Sequence, residues 1–92
     1  MTLSPANIIE IKKGIVTSQI DGETVMMSLE NSEYYGLNST ASRIFALVEK
    51  PISIQIICNQ LISEYNIDFD TCYLQVINIL EDFNKKGLIE IK

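Results

Sequence analysis

Cys58, Cys72, Asp68 and Asp70 are the side chains whose types could do chemistry in this chain, and neither pair forms a catalytic constellation. The two cysteines lie far apart in helical patterns and in no C-x-x-C motif, so they read as buried free thiols rather than a redox pair. Asp68 and Asp70 precede a long helical pattern, where a carboxylate accepts from orphan N–H groups as a cap. Histidine is absent, which removes the commonest general base and the commonest transition-metal ligand. No cofactor, metal set or nucleophile–base pair is expected, and the chain reads as non-enzymatic.

What remains is chemistry of the backbone. The stretch Glu33 to Ala41 is where the apolar period changes from two to three or four. Tyr35 and Leu37 share one face of a short strand, with Tyr34 and Gly36 on the other. Asn38 or Ser39 then caps a helix. If the preceding strands form a meander, this third strand has one partner, and its other edge presents unpaired N–H and C=O groups. Glu33 is its single charge and it has no proline, so the edge is weakly protected. An exposed edge beside an apolar groove accepts an added peptide strand.

The elements that position this edge follow from the rest of the chain. Ninety-two residues, 47% apolar and 21% charged, suit one globular domain. Residues 1–7 read as loosely held, and Ile9 to Lys12 as a short strand. Gly14 marks a bend, Ile15 to Ile20 a strand rich in β-branched residues, and Asp21-Gly22 a type I′ hairpin turn. Glu23 to Leu29 returns, with Val25, Met27 and Leu29 as the expected core face. Glu30-Asn31-Ser32 turns into the third strand.

Three helices are expected to cover the sheet. The first runs from Thr40 to Glu49 and stops before Pro51. The second runs from Ile54 to Glu64 with Ser53 as N-cap and an Ile52/Ile57 staple. Tyr65 to Ile67 links it to the third, which starts after Asp68 or Asp70 and ends at Lys86, with Gly87 as its C′ residue. Leu88 to Ile91 is a possible terminal strand. The fold class is therefore α+β, a three-stranded antiparallel sheet followed by three helices.

Helix three is apolar over more than one face requires. Phe69, Tyr73, Val76 and Leu80 form the centre of its stripe. Cys72, Ile79 and Phe83 widen it on one flank, Leu74 and Ile77 on the other. One flank is expected to line a groove beside the strand edge.

Two motifs resemble the PqqD-like family of precursor-peptide recognition proteins. Tyr35-Gly36-Leu37-Asn38-Ser39-Thr40-Ala41-Ser42-Arg43-Ile44-Phe45-Ala46-Leu47 is similar to the family's Tyr-x-Leu-Asn-x-x-Ala-x-x-Ile-Trp-x-Leu signature. Val76 to Phe83 followed by Gly87-Leu88-Ile89 resembles its Val-x-x-Phe-Leu-x-x-Leu-x-x-x-Gly-Leu-Leu ending. The resemblance spans roughly residues 9–92 and implies a winged-helix-like fold. It implies that the chain binds the leader segment of a ribosomally made precursor as a strand beside the third strand and over helix three. The peptide-binding residues it implies are Ser32, Glu33, Tyr34, Tyr35, Gly36 and Leu37, with Cys72, Gln75, Val76, Ile79, Phe83 and Lys86 on helix three.

At this size the chain looks most like the stand-alone leader-binding protein of lasso peptide systems. The implied partners are a leader peptidase and an ATP-dependent cyclase. Gln75 stands where the family often has Asp, Phe45 where it has Trp, and Ile79 and Phe83 where it has Phe and Leu, so the groove should differ in shape.

Charge weighs against the alternative that a winged-helix outline invites, a DNA-binding regulator. The net charge is −5 with one arginine, Arg43, whereas phosphate contacts need clustered Lys and Arg on the recognition helix. No run approaches the 18 apolar residues of a membrane span, and the N-terminal residues lack a signal-peptide pattern. The expectation is a cytoplasmic protein with no nucleic-acid or membrane partner.

Overall fold

A computed structural model describes all residues except 1, 2, 21, 22, 30 and 31. The strands are β1 (Ile8–Ile11), β2 (Ile15–Ile20), β3 (Glu23–Ser28), β4 (Glu33–Leu37), β5 (Ile52–Ser53) and β6 (Ile89–Ile91). The helices are α1 (Ser39–Leu47), α2 (Ile54–Glu64) and α3 (Phe69–Lys85). The meander β2-β3-β4 is antiparallel, as expected. A second small sheet, ordered β5-β1-β6, joins the two ends of the chain. Its strands β1 and β6 fall where the alternating isoleucines suggest them. The two-residue β5 carries no pattern of its own and forms because Ile52 and Ser53 meet Ile9 and Ile8.

Each helix begins where a side-chain cap allows it. Asn38 accepts from the N–H of Ala41 at 2.8 Å, Ser53 from Ile56 at 3.2 Å, and Asp68 from Thr71 at 3.0 Å. Such caps contribute about 1 kcal/mol each. Gly87 ends α3 at φ +73°, a left-handed conformation that glycine adopts without a Cβ clash. The turn into β2 likewise places Gly14 at φ +88°. The turn expected at Asp21-Gly22 lies outside the described residues, although its flanks, Ile20 and Glu23, are paired. Glu30 and Asn31 of the next turn also lie outside them.

Two expectations are corrected. The core face of β3 is Thr24, Met26 and Ser28, all buried, whereas Leu29 is 56% exposed and Val25 and Met27 are half-buried on the outer face. Register explains the inversion. Thr24 pairs with Leu37 and Met26 with Tyr35, and directly opposed residues share a face. The short side chains of Thr24 and Ser28 leave room for the helices. The Ser42 hydroxyl of α1 accepts from the N–H of Thr24 at 3.3 Å and donates to the carbonyl of Leu37 at 3.2 Å.

The second correction concerns the N-terminal segment, which is tied down from Leu3 onward. Leu3 is buried, its carbonyl accepts from the Tyr73 hydroxyl at 2.9 Å, and the carbonyls of Pro5 and Asn7 accept from Gln55 and Ile54 N–H at 3.0 Å.

The core gathers Ile9, Met26, Ile44, Phe45, Val48, Ile54, Ile57, Leu61, Val76, Leu80, Phe83 and Leu88 around α3. Phe45 and Phe83 meet edge to face with centroids 5.9 Å apart, so α1 packs on α3 by an aromatic pair. Across the outside, Arg43 Nε donates to Glu64 at 2.8 Å and joins α1 to α2.

Candidate functional site

The free edge of β4 follows from the hydrogen-bond alternation of the sheet. Leu29 N–H donates to the Gly14 carbonyl at 3.0 Å, so Gly14 and Leu29 form a bonded pair next to the ladder. In an antiparallel ladder bonded and non-bonded pairs alternate. Val16–Met27 and Ser18–Val25 are then bonded across β2 and β3. The backbone groups of Thr24, Met26 and Ser28 point the other way, into β4. There they meet Leu37, Tyr35 and Glu33. Tyr34 and Gly36 are left with N–H and C=O aimed away from β3. Among the described residues no strand lies on that side.

Side chains around this edge fall into two sets. Tyr34 is 73% exposed and, with Gly36, lies on the outer face of the sheet. Tyr35 and Leu37 turn inward, Tyr35 half-buried and Leu37 buried. Apart from its chain neighbours, no heavy atom lies within 4 Å of where a Cβ on Gly36 would stand, so the outer face there is open. Ser32, at φ +55°, shapes the turn that starts the strand.

Helix α3 runs beside the junction of β4 and α1. At one end Lys86 Nζ stands over the Tyr35 ring, 5.3 Å from its centroid, and pairs with Asp82 at 2.8 Å. The Tyr35 hydroxyl donates to Glu33 at 3.2 Å. This end of the groove is thus a polar chain of Glu33, Tyr35, Lys86 and Asp82, with the ammonium also held by the ring face. At the other end Thr40, Ile44, Leu61, Tyr65, Ile67, Cys72, Gln75 and Val76 enclose a cavity of about 120 Å³. Its lining is mostly apolar, with Thr40 and Gln75 as polar members. A single aliphatic side chain could occupy it.

The burial of the α3 residues divides them. Cys72, Val76 and Phe83 are at most 1% exposed and belong to the core, so the expected open flank does not include them as walls. Phe83 turns inward because it completes the contact with Phe45. Cys72 and Val76 line the cavity between α1, α2 and α3. Ile79 and Lys86 are half-buried and Gln75 is exposed, and these three form the accessible part of the flank. On the opposite flank Leu74 is 65% exposed. Cavity residues on α1, α2 and the link carried no separate sequence signal, since an apolar residue at helical spacing reads as core. Asp82 was legible, four residues before Lys86 on the same helix face.

The titratable groups described here serve structure. Burial pushes the Cys58 thiol up to about 12, with the neighbouring Cys72 adding to the effect, and burial also raises Cys72. Both are free, and such thiols are poor nucleophiles. Hydrogen bonds from Arg43 and then Gln60 hold the Glu64 carboxyl at about 2. The Thr71 N–H lowers Asp68 as expected of a cap. Among the described residues no group of His, Cys, Asp or Glu could hold a metal ion, and no helix is long and apolar enough to cross a membrane.

Comparison with known proteins finds a family and two solved structures. The family model described as coenzyme PQQ synthesis protein D (PqqD) matches residues 23–89, which includes β3, β4 and all three helices. Two solved structures are similar over most of their lengths. One, TbiB1 in complex with the TbiA(beta) leader peptide, is 30% identical, covers 86% of this chain and 93% of its own, and superposes with a TM-score of 0.79. The other, lasso peptide synthetase B1 complexed with the leader peptide, is 21% identical, covers 89% and 96%, and has a TM-score of 0.80. Its likeness is one of fold. No curated protein sequence matches.

Proposed function

Because the chain belongs to the PqqD family, we propose that it is a non-catalytic adaptor for the leader segment of a ribosomally made precursor peptide, in lasso peptide biosynthesis. The observation that carries this reading is the β4 edge, where Tyr34 and Gly36 aim backbone donors and acceptors at solvent beside α3. The leader adds as a strand there, and main-chain hydrogen bonds supply much of the affinity. Ser32, Glu33, Tyr35 and Leu37 bound the paired stretch. Gln75, Ile79 and Lys86 meet the leader's side chains from α3, while Cys72, Val76 and Phe83 act from beneath, as the packed floor and cavity wall.

The two ends of the groove differ in what they accept. Lys86 and Asp82 with Tyr35 favour a polar or aromatic group, and the cavity at Thr40 and Gln75 favours an aliphatic one. The complexes of TbiB1 and of the lasso peptide synthetase B1 with leader peptides support the same reading. Delivery follows from the non-catalytic character: a leader peptidase and an ATP-dependent cyclase act on the captured precursor, in the cytoplasm.

The test is a titration of a fluorescently labelled synthetic leader, taken from a precursor encoded beside this chain's gene, with the purified protein. Saturable binding that depends on leader sequence is expected. Absence of binding at about 1 mM protein, a free energy weaker than about 4 kcal/mol, would remove the adaptor reading.

A further inference from the structure

On the outer face of the meander the side chains form two uncharged rows across the strands. One row is Val16, Met27 and Tyr34, and the next is Ser18, Val25 and Gly36. The first row is bulky, whereas the second shrinks toward β4, so a trough opens at the β4 edge over Gly36. Beside Tyr34, a depression lined with Val16, Ser18, Val25 and Met27 holds about 110 Å³.

Among the described residues, nothing calls for glycine at 36. Gly14 and Gly87 hold left-handed backbone, but Gly36 does not and lies in extended strand. Packing does not demand it either, because a Cβ there would meet no heavy atom within 4 Å apart from its chain neighbours. Glycine inside a strand weakens it, having no side chain to pack, and often marks the close approach of a ligand. Gly36 is exposed, and its N–H and C=O face the edge where the leader adds.

We propose that Gly36 is the floor of an outer-face subsite that takes one aromatic side chain of the leader. The inference rests on the reading that the leader pairs with β4. Neighbouring strands keep their pleats aligned, so an outward leader side chain level with Gly36 continues the row Ser18, Val25, Gly36. The added strand lies about 4.8 Å from β4. An aromatic ring is long enough to cross that width, lie flat over Gly36 and meet Val25, with one edge against Tyr34. Valine, isoleucine or leucine would end above Gly36.

A ring laid across a strand glycine covers the backbone that glycine leaves bare, which offsets its weakness in a sheet. Tyr34 adds an aromatic pair. The next outward leader position is level with Tyr34, whose own ring occupies the space there. Bulk therefore fits at Gly36 and not at its outward neighbour. The leader is read on both faces of the sheet: alternate side chains by α3 on the inner face, and this one by Gly36 on the outer.

Gly36→Val tests this with the labelled leader and with leader variants carrying alanine at each position in turn. The protein variant should melt at or above the wild type, since valine suits an extended strand. It should bind the leader at least about tenfold more weakly, because its methyl groups stand where the ring lies. That penalty should vanish for the leader in which one particular aromatic residue is alanine. Equal binding of the leader by Gly36→Val and wild type overturns the subsite, as does a penalty that persists across every leader variant or vanishes at a non-aromatic position. Should Gly36→Val fail to fold, proton NMR of the wild type decides. The Gly36 Hα resonances should move upfield on leader binding and return when the aromatic residue is alanine, and no such ring-current shift overturns the subsite. A leader that does not bind the wild type removes the adaptor reading and the subsite with it, whereas leader binding without an effect at Gly36 removes the subsite alone.

Discussion

Replacing Tyr34 with proline separates the two hydrogen-bonding sides of β4. The Tyr34 N–H points to the open edge, whereas that of Tyr35 points to Met26. Proline at 34 therefore removes an edge donor and leaves the β3–β4 ladder whole, and edge strands tolerate proline on their solvent side. It biases Glu33 toward extended geometry, which Glu33 already has as part of β4. The Tyr34 side chain is 73% exposed, so its loss costs little stability.

On binding, one backbone hydrogen bond, worth about 0.5–1.5 kcal/mol net, cannot form. The partner carbonyl of the leader is left against the ring without a donor, which brings the total to about 1–3 kcal/mol. That corresponds to roughly a 5- to 150-fold rise in Kd. Tyr34→Ala keeps the donor and controls for the lost ring. Circular dichroism and thermal melts establish folding, and isothermal titration with leader peptide gives the affinities. Tyr34→Pro should fold like Tyr34→Ala and bind more weakly, while Tyr35→Pro should lose the fold. If a folded Tyr34→Pro binds as tightly as Tyr34→Ala, the leader does not use that edge.

Leu80→Ala should lower stability by about 2–5 kcal/mol in denaturant unfolding, because Leu80 is fully buried and leaves a cavity. Ile79→Glu, at a half-buried position, should melt near the wild type yet lose at least tenfold in leader affinity, about 1.4 kcal/mol, since its carboxylate must be desolvated on binding. Equal unfolding by both would place Ile79 in the core. Cys58 and Cys72 should resist thiol reagents at pH 8 until denaturant is added, and rapid labelling of the native protein would contradict their burial. Glu64 sits at about 2 when folded against an ordinary 4.5, so the Arg43 pair stabilises above the ordinary value and its contribution fades as pH falls from about 4.5 through about 2. Thermal melts over that window should show a shallower acid limb in Glu64→Gln, and identical limbs would refute the coupling.

Much of this architecture was legible because local signals agreed with one another. Ser53, Asp68 and Gly87 mark helix ends by their own chemistry, and α2 falls at Ile54–Glu64 as the apolar spacing indicates. The face of β3 was misread because hydrophobicity alone ranks Val25, Met27 and Leu29 above Thr24, Met26 and Ser28. The information was nonetheless present one strand later. Tyr35 and Leu37 share the inner face, and the register of the second hairpin carries that choice back to Met26 and Thr24. On α3, periodicity gave the direction of the stripe but not its depth. Whether Phe83 lines a groove or fills a core depends on Phe45, a helix away. The cavity at Thr40, Tyr65 and Gln75 arises where three helices converge, which no single stretch encodes.

The central claim, that the leader completes the sheet at β4, is tested most directly by amide hydrogen exchange with and without leader peptide. Exchange at Tyr34 and Gly36 should slow on binding, because only these β4 amides point outward, while Tyr35 and Leu37, already paired with β3, should change far less. Saturating leader with no protection at Tyr34 and Gly36 would contradict the account.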